Sequence, residues 1–117
     1  MAVQDVNRQT MKEVVENNQI VIVDFWAEWC GPCKRFSPIF ESVAAKHADI
    51  KFVKVNTDIE QELAAMFEVR SIPTIAVIKE QDIVFVQPGA FPEEVLEEVV
   101  QKARDLDMEQ VRKDNPR

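Results

Sequence analysis

The chain has 117 residues, of which 46% are hydrophobic and 30% charged, and its formal net charge is −7. That length suits one domain with one core, and the acidic balance excludes nucleic acid and anionic membrane as main partners. No apolar run approaches the ~20 residues that span a bilayer, and the polar start MAVQDVNRQTMKEVVENN lacks the basic head and apolar stretch of a secretion signal; a cytoplasmic chain is expected.

Residues 2–5 (AVQD) can add a short edge strand. Asn7 then caps a helix over 8–17, with Met11, Val14 and Val15 at helical spacing. The run QIVIVDFW (19–26) is continuously apolar and β-branched, the pattern of a strand buried on both faces. In KRFSPIFESVAAKHA, residues Phe36, Ile39, Phe40, Val43 and Ala44 make one helical stripe, and Pro38 should bend that helix. His47, near the helix end, is expected in solvent without a role. IKFVKVN reads as a second buried strand and EQELAAMF as a short helix.

Residues 74–79 and 83–87 form two strands joined across Glu80, Gln81 and Asp82, and such a hairpin is antiparallel. The turn KEQD lacks the Asn-Gly or Asp-Gly pair that suits a tight connection, which leaves its geometry open. A last helix begins at Pro92 and carries Val95, Leu96, Val99, Val100 and Ala103 on its apolar face. The fold class is α/β: a central mixed sheet, parallel early and antiparallel in its C-terminal hairpin, with helices on both faces. Residues 1–106 make the domain; 107–117 are an extension that ends the last helix and then frays through DNPR.

Both cysteines of the chain lie in WAEWCGPCK, separated by Gly31 and Pro32. They can be a reactive dithiol, half of a metal site, or a structural staple. A staple across two residues constrains little of the unfolded chain. A metal site needs about four ligands, and the other soft donor, His47, is distant in sequence. If Gly31-Pro32-Cys33 opens a helix, its unpaired N–H groups stabilise a thiolate at Cys30. Pro32 fits that first turn and stiffens it. Cys33, one turn in, should be the less accessible sulfur. Cys30 is then the attacking group and Cys33 the resolving one.

VDFWAEWCGPCK, followed by VKVNTD and RSIPT, closely resembles the thioredoxin family over residues 10–103. The resemblance implies that family's fold, protein-disulfide reduction, no cofactor of its own, and recharging by an NADPH-dependent thioredoxin reductase. It makes Asp24 the buried acid that moves a proton for Cys33, and Lys54 the lysine near that acid. It makes Pro73 a cis-proline facing the dithiol, with the Ile72 backbone and Thr74 beside it in the substrate groove. Trp29 becomes the exposed aromatic beside the site, whereas Trp26 reads as packing. Gly89 and Ala90 border the groove, although Gly89 can equally serve a turn with positive φ. Pro88 is a departure that can alter the groove rim.

Three functions compete. One is a general reductant of disulfide-bearing proteins. Another is an isomerase or oxidant of the same fold, which the Gly-Pro pair disfavours, because a histidine there would make the pair more oxidising. The third is a non-redox binding module, which needs neither cysteine. The reductant is the preferred reading, with a monomer expected and no metal.

Overall fold

Short runs of Val, Ile and Phe need cover on both sides, and the chain supplies it with helices packed on each face of one sheet. A computed structural model describes residues 2–115. In chain order these form β1 (Val3–Asp5), α1 (Arg8–Asn17), β2 (Ile20–Trp26), α2 (Gly31–Lys46), β3 (Lys51–Asn56), α3 (Gln61–Met66), β4 (Thr74–Lys79), β5 (Asp82–Pro88), α4 (Glu93–Asp105) and α5 (Met108–Asp114). The strands lie in the order β1-β3-β2-β4-β5. β1 and β2 run parallel to β3, β4 runs antiparallel to β2, and β5 antiparallel to β4. The mixed sheet and the edge strand are therefore as expected.

Strand alternation sorts the core into two halves. From β2, Ile20 and Ile22 join Phe36, Phe40 and Val43 of α2 and Leu96 and Val100 of α4. Val21, Val23 and Phe25 join Met11 and Val14 of α1, Leu63 of α3, and Phe67 on the other face. Phe40 meets Phe52 edge-on at 5.3 Å between ring centres, and Phe25 meets Phe67 at 5.0 Å. The same alternation puts Asp24 and Trp26 on the α2 side of β2. On β3 it puts Lys54, two residues after core residue Phe52, on that side too.

Helix α1 starts as expected. Asn7 Oδ1 accepts the Thr10 N–H at 2.9 Å while Thr10 Oγ1 accepts the Asn7 N–H at 2.9 Å, a reciprocal cap.

Three expectations are corrected. The hairpin loop has two residues, not three: Asp82 pairs with Lys79, and Glu80 and Gln81 turn the chain with φ of 51° and 71°. Those left-handed angles are what a tight hairpin demands, and here non-glycine residues adopt them. The Glu80 N–H is anchored to the Gln19 carbonyl at 2.8 Å.

The last helix stops at Asp105 and a separate helix follows. Asp107 caps α5 by accepting the Glu109 and Gln110 N–H groups, Met108 is buried, and Arg112 reaches Glu80 and Asp82 at the hairpin. Of the end expected to fray, Asp114 and Asn115 are ordered into this helix and its cap; Pro116 and Arg117 lie outside the described residues.

His47 is half-buried, not solvent-facing. Its Nδ1 lies 3.0 Å from the Arg104 guanidinium, which can only donate, so Nδ1 accepts and Nε2 carries the proton toward Glu97 at 2.6 Å. Arg104 also grips Asp49 through two bonds of 2.6 and 2.9 Å and holds that carboxyl down at about 2. The end of α2 is thereby tied to α4.

Candidate active site

Cys30 occupies the N-cap of α2, and its Sγ accepts the Cys33 N–H at 3.2 Å. A sulfur so placed faces the unpaired amide end of the helix, where negative charge is favoured. Cys30 and Cys33 form a disulfide with Cα atoms 5.3 Å apart. Gly31 and Pro32 are the exposed first two residues of α2, between the sulfurs. The backbone does not force glycine at 31, because an added Cβ would meet its nearest neighbour, Arg35, at an ordinary 3.4 Å.

The accessibility contrast expected between the cysteines is absent in this oxidised state: Cys30 is 3% exposed and Cys33 2%. The two differ in surroundings. Cys30 Sγ lies 3.8 Å from the Ile72 carbonyl, a contact that becomes a hydrogen bond only when the sulfur carries a proton. Both pack with Ala27, Trp26 and Ile72.

The Ile72-Pro73 peptide is cis. Thr74 is buried, and its hydroxyl donates to the Ser71 carbonyl at 2.6 Å, so its side chain braces the bend before Pro73. The Gly89 N–H donates to the Pro73 carbonyl at 2.9 Å, which brings half-buried Gly89 and exposed Ala90 to the cis-proline. Gly89 has φ of 133°, a conformation that favours glycine, and a Cβ there would also press on the Phe91 ring at 3.2 Å. Trp29 is 71% exposed, and its indole N–H donates to Asp58 at 3.0 Å. Asp58 closes the VKVNTD stretch, yet nothing in the sequence ties it to Trp29, 29 residues away.

Asp24 is wholly buried, and neither carboxylate oxygen has a hydrogen-bond partner among the described residues. Burial pushes its carboxyl up from 3.8 to about 7, with Lys54 pulling the other way. Lys54 is its register neighbour on β3, yet the ammonium donates to Ser37 Oγ at 3.0 Å and sits 4.8 Å from the centre of the Trp26 ring. Trp26 does pack under the site, as expected, although its buried indole N–H also lacks a partner. Ser37 was missed; the available signal was its position four residues after Cys33, one turn further along the same helix face. Among the described residues no group of three His, Cys, Asp or Glu side chains could hold a metal ion.

The thioredoxin family model matches residues 2–102. A thioredoxin homologue from Streptomyces coelicolor is 47% identical over 109 residues, covering 93% of this chain and 81% of that protein. A mutant thioredoxin from Halobacterium salinarum superposes with a TM-score of 0.82 at 30% identity, covering 90% of this chain and 93% of that one. A chain from a complex of ferredoxin:thioredoxin reductase with thioredoxin f2 gives a TM-score of 0.80 at 28% identity, covering 87% and 94% of the two chains. The adjoining Trp29, Cys30 and Cys33, on a mixed sheet of this order, fit those likenesses at the site itself. The chain belongs to the thioredoxin family.

Proposed function

We propose that this protein-disulfide reductase works by a two-step exchange in which Cys30 attacks and Cys33 resolves. In the reduced protein the Cys30 thiolate attacks one sulfur of a substrate disulfide. The other substrate sulfur leaves as a thiolate and takes up a proton. The Cys33 thiol then gives its proton to the Asp24 carboxylate, and its sulfur attacks Cys30 Sγ. That breaks the mixed disulfide, releases the second substrate thiolate for protonation, and leaves the Cys30–Cys33 disulfide. Two electrons pass from the dithiol to the substrate, and no cofactor is needed to hold them.

The observation that carries the assignment is Cys30 Sγ at the N-cap of α2, facing the Cys33 amide. A carboxyl near 7 supports the proton role of Asp24, because both of its forms are available at neutral pH. Lys54 moderates that carboxyl. Trp29, Ile72, Gly89 and Ala90 border the groove that takes an extended substrate segment, and Thr74 braces Pro73 within it. Membership of the family supports a reductase as the source of electrons; we assign an NADPH-dependent thioredoxin reductase. The chain then serves as a monomeric, cytoplasmic electron carrier, residues 1–106 being the working domain and 107–117 a C-terminal extension. No helix among the described residues is long and apolar enough to cross a membrane.

Mixing a Cys33→Ser variant with a disulfide-bonded protein should accumulate a mixed disulfide at Cys30, visible by non-reducing mass spectrometry. Cys30→Ser should give neither adduct nor turnover. An adduct through Cys33 in that second variant would reverse the two roles.

A further inference from the structure

The proton step proposed above leaves one polar neighbour unexplained. Ser37 sits on α2 one turn beyond Cys33, on the side that faces Asp24, Trp26 and Lys54, and it makes a side-chain hydrogen bond with Lys54. We propose that Ser37 is a positioning residue for the exchange: its hydroxyl tethers the Lys54 ammonium to α2 and keeps that charge from closing on the Asp24 carboxyl.

Three observations converge on the tether. First, Asp24 and Lys54 are register partners on adjacent strands and share a face, so the ammonium is within easy reach of the acid. Second, the Asp24 oxygens accept no hydrogen bond from any described residue although the carboxyl is fully buried. A flexible ammonium beside a carboxylate with free lone pairs binds it unless another partner holds the charge, since charge-assisted bonds are the strong ones. Third, that other partner is present: Ser37 Oγ at 3.0 Å, with the Trp26 ring 4.8 Å away as a second restraint.

The groups around Asp24 limit the alternatives. β3 presents Lys54, the charged side chain whose field reaches the carboxyl. β4 presents Ile75 at the matching register position, which carries no charge. α2 presents Ser37 and, in the reduced protein, the thiols of Cys30 and Cys33. The neighbouring strand position toward the site is Trp26, also uncharged. Lys54 is thus the movable charge, and Ser37 sets where it rests.

Removing the tether has a definite sign. If Ser37 loses its hydroxyl, the ammonium turns to the unpartnered carboxylate and stabilises its ionised form. Asp24 then titrates lower and becomes a weaker base for the Cys33 proton. The change is mild for folding, because alanine is a better helix former than serine.

This proposal rests on the reading of Asp24 as the proton group, and the test separates the two. The Asp24 carboxyl is titrated by carbon-13 NMR in the full-length oxidised protein, as native, Ser37→Ala, Ser37→Thr, Lys54→Met, and Ser37→Ala combined with Lys54→Met. Ser37→Ala should move the midpoint down by about one pH unit, the lower end of what a close opposite charge produces. Ser37→Thr, which keeps the hydroxyl, should restore it. In the Lys54→Met background Ser37→Ala should move nothing. An unchanged or raised midpoint in Ser37→Ala, or the same fall without Lys54, overturns the tether. The pH profile of disulfide reduction is measured beside it. If the midpoint falls and the profile does not follow, the tether stands and the part assigned to Asp24 in the exchange fails instead.

Discussion

At the end of the sheet away from the cysteines, Lys79 is 4% exposed, yet its ammonium donates to the carbonyls of Ala103, Arg104 and Leu106 at 2.7, 3.1 and 2.8 Å. At the cysteine end, the Asp24 carboxyl and the Trp26 indole N–H are buried with no hydrogen-bond partner among the described residues. Roughly 17 Å of β4 separates the two ends. At the far end the lysine supplies donors to two last-turn carbonyls of α4, groups that every helix leaves unpaired, and to the carbonyl of its C-cap Leu106. The adjacent clamps of Arg104 on Asp49 and His47 and of Arg112 on the hairpin belong to that end too. The buried charge away from the chemistry is fully paired, and the buried polar groups left unpaired lie where a proton must move.

The largest expected effect comes from removing the unpaired charge. The folded carboxyl of Asp24 is raised from 3.8 to about 7, so the folded state binds more protons than the unfolded chain between those values. Stability therefore falls as pH climbs from about 4 to about 7, and the full cost is present above that, roughly 4 kcal/mol. Asp24→Asn should be more stable than the native protein by up to that amount at pH 8 and equal to it near pH 4, while reducing disulfides more slowly. Urea unfolding across this range checks it; a gain independent of pH would rule out the desolvated carboxylate as its source.

Lys79→Met reverses the experiment at the other end. It strands two helix carbonyls and that of the C-cap and should lower stability by about 3 kcal/mol, with the reduction potential and rate unchanged. A shifted potential would show that the two ends are coupled and that the contrast drawn between them is wrong.

Gln81→Gly is a smaller change. Position 81 has φ of 71°, which glycine adopts freely, so denaturant midpoints should rise by the equivalent of about 0.5–1 kcal/mol. Arg112→Ala, which removes an exposed link to the hairpin, should leave global unfolding nearly unaltered. It should speed hydrogen exchange at the Glu80 amide.

What the sequence made legible follows from how local each signal is. The strands, their mixed pairing and the helical stripes rest on period and on neighbours in the chain, so Phe36, Phe40, Leu96 and Val100 were found in place. The dithiol was legible because glycine, proline and both cysteines are adjacent. The Lys79, His47–Arg104 and Trp29–Asp58 contacts join residues from 24 to 57 positions apart, and no pattern in the chain marks them. The length of the hairpin turn was misjudged because tertiary anchoring, through Gln19 and Arg112, holds non-glycine residues at positive φ. Burial also failed to separate Cys30 from Cys33, since in the oxidised pair both sulfurs sit in one small cluster.

The sharpest check on the reductant assignment is the reduction potential of the Cys30–Cys33 pair, measured by equilibrating the native protein against a dithiothreitol or glutathione buffer. The expected value is about −270 mV, typical of thioredoxins themselves and carried over from them rather than obtained from this geometry. A potential near about −180 mV or higher would place the chain among oxidants and isomerases and contradict its assignment as a reductant.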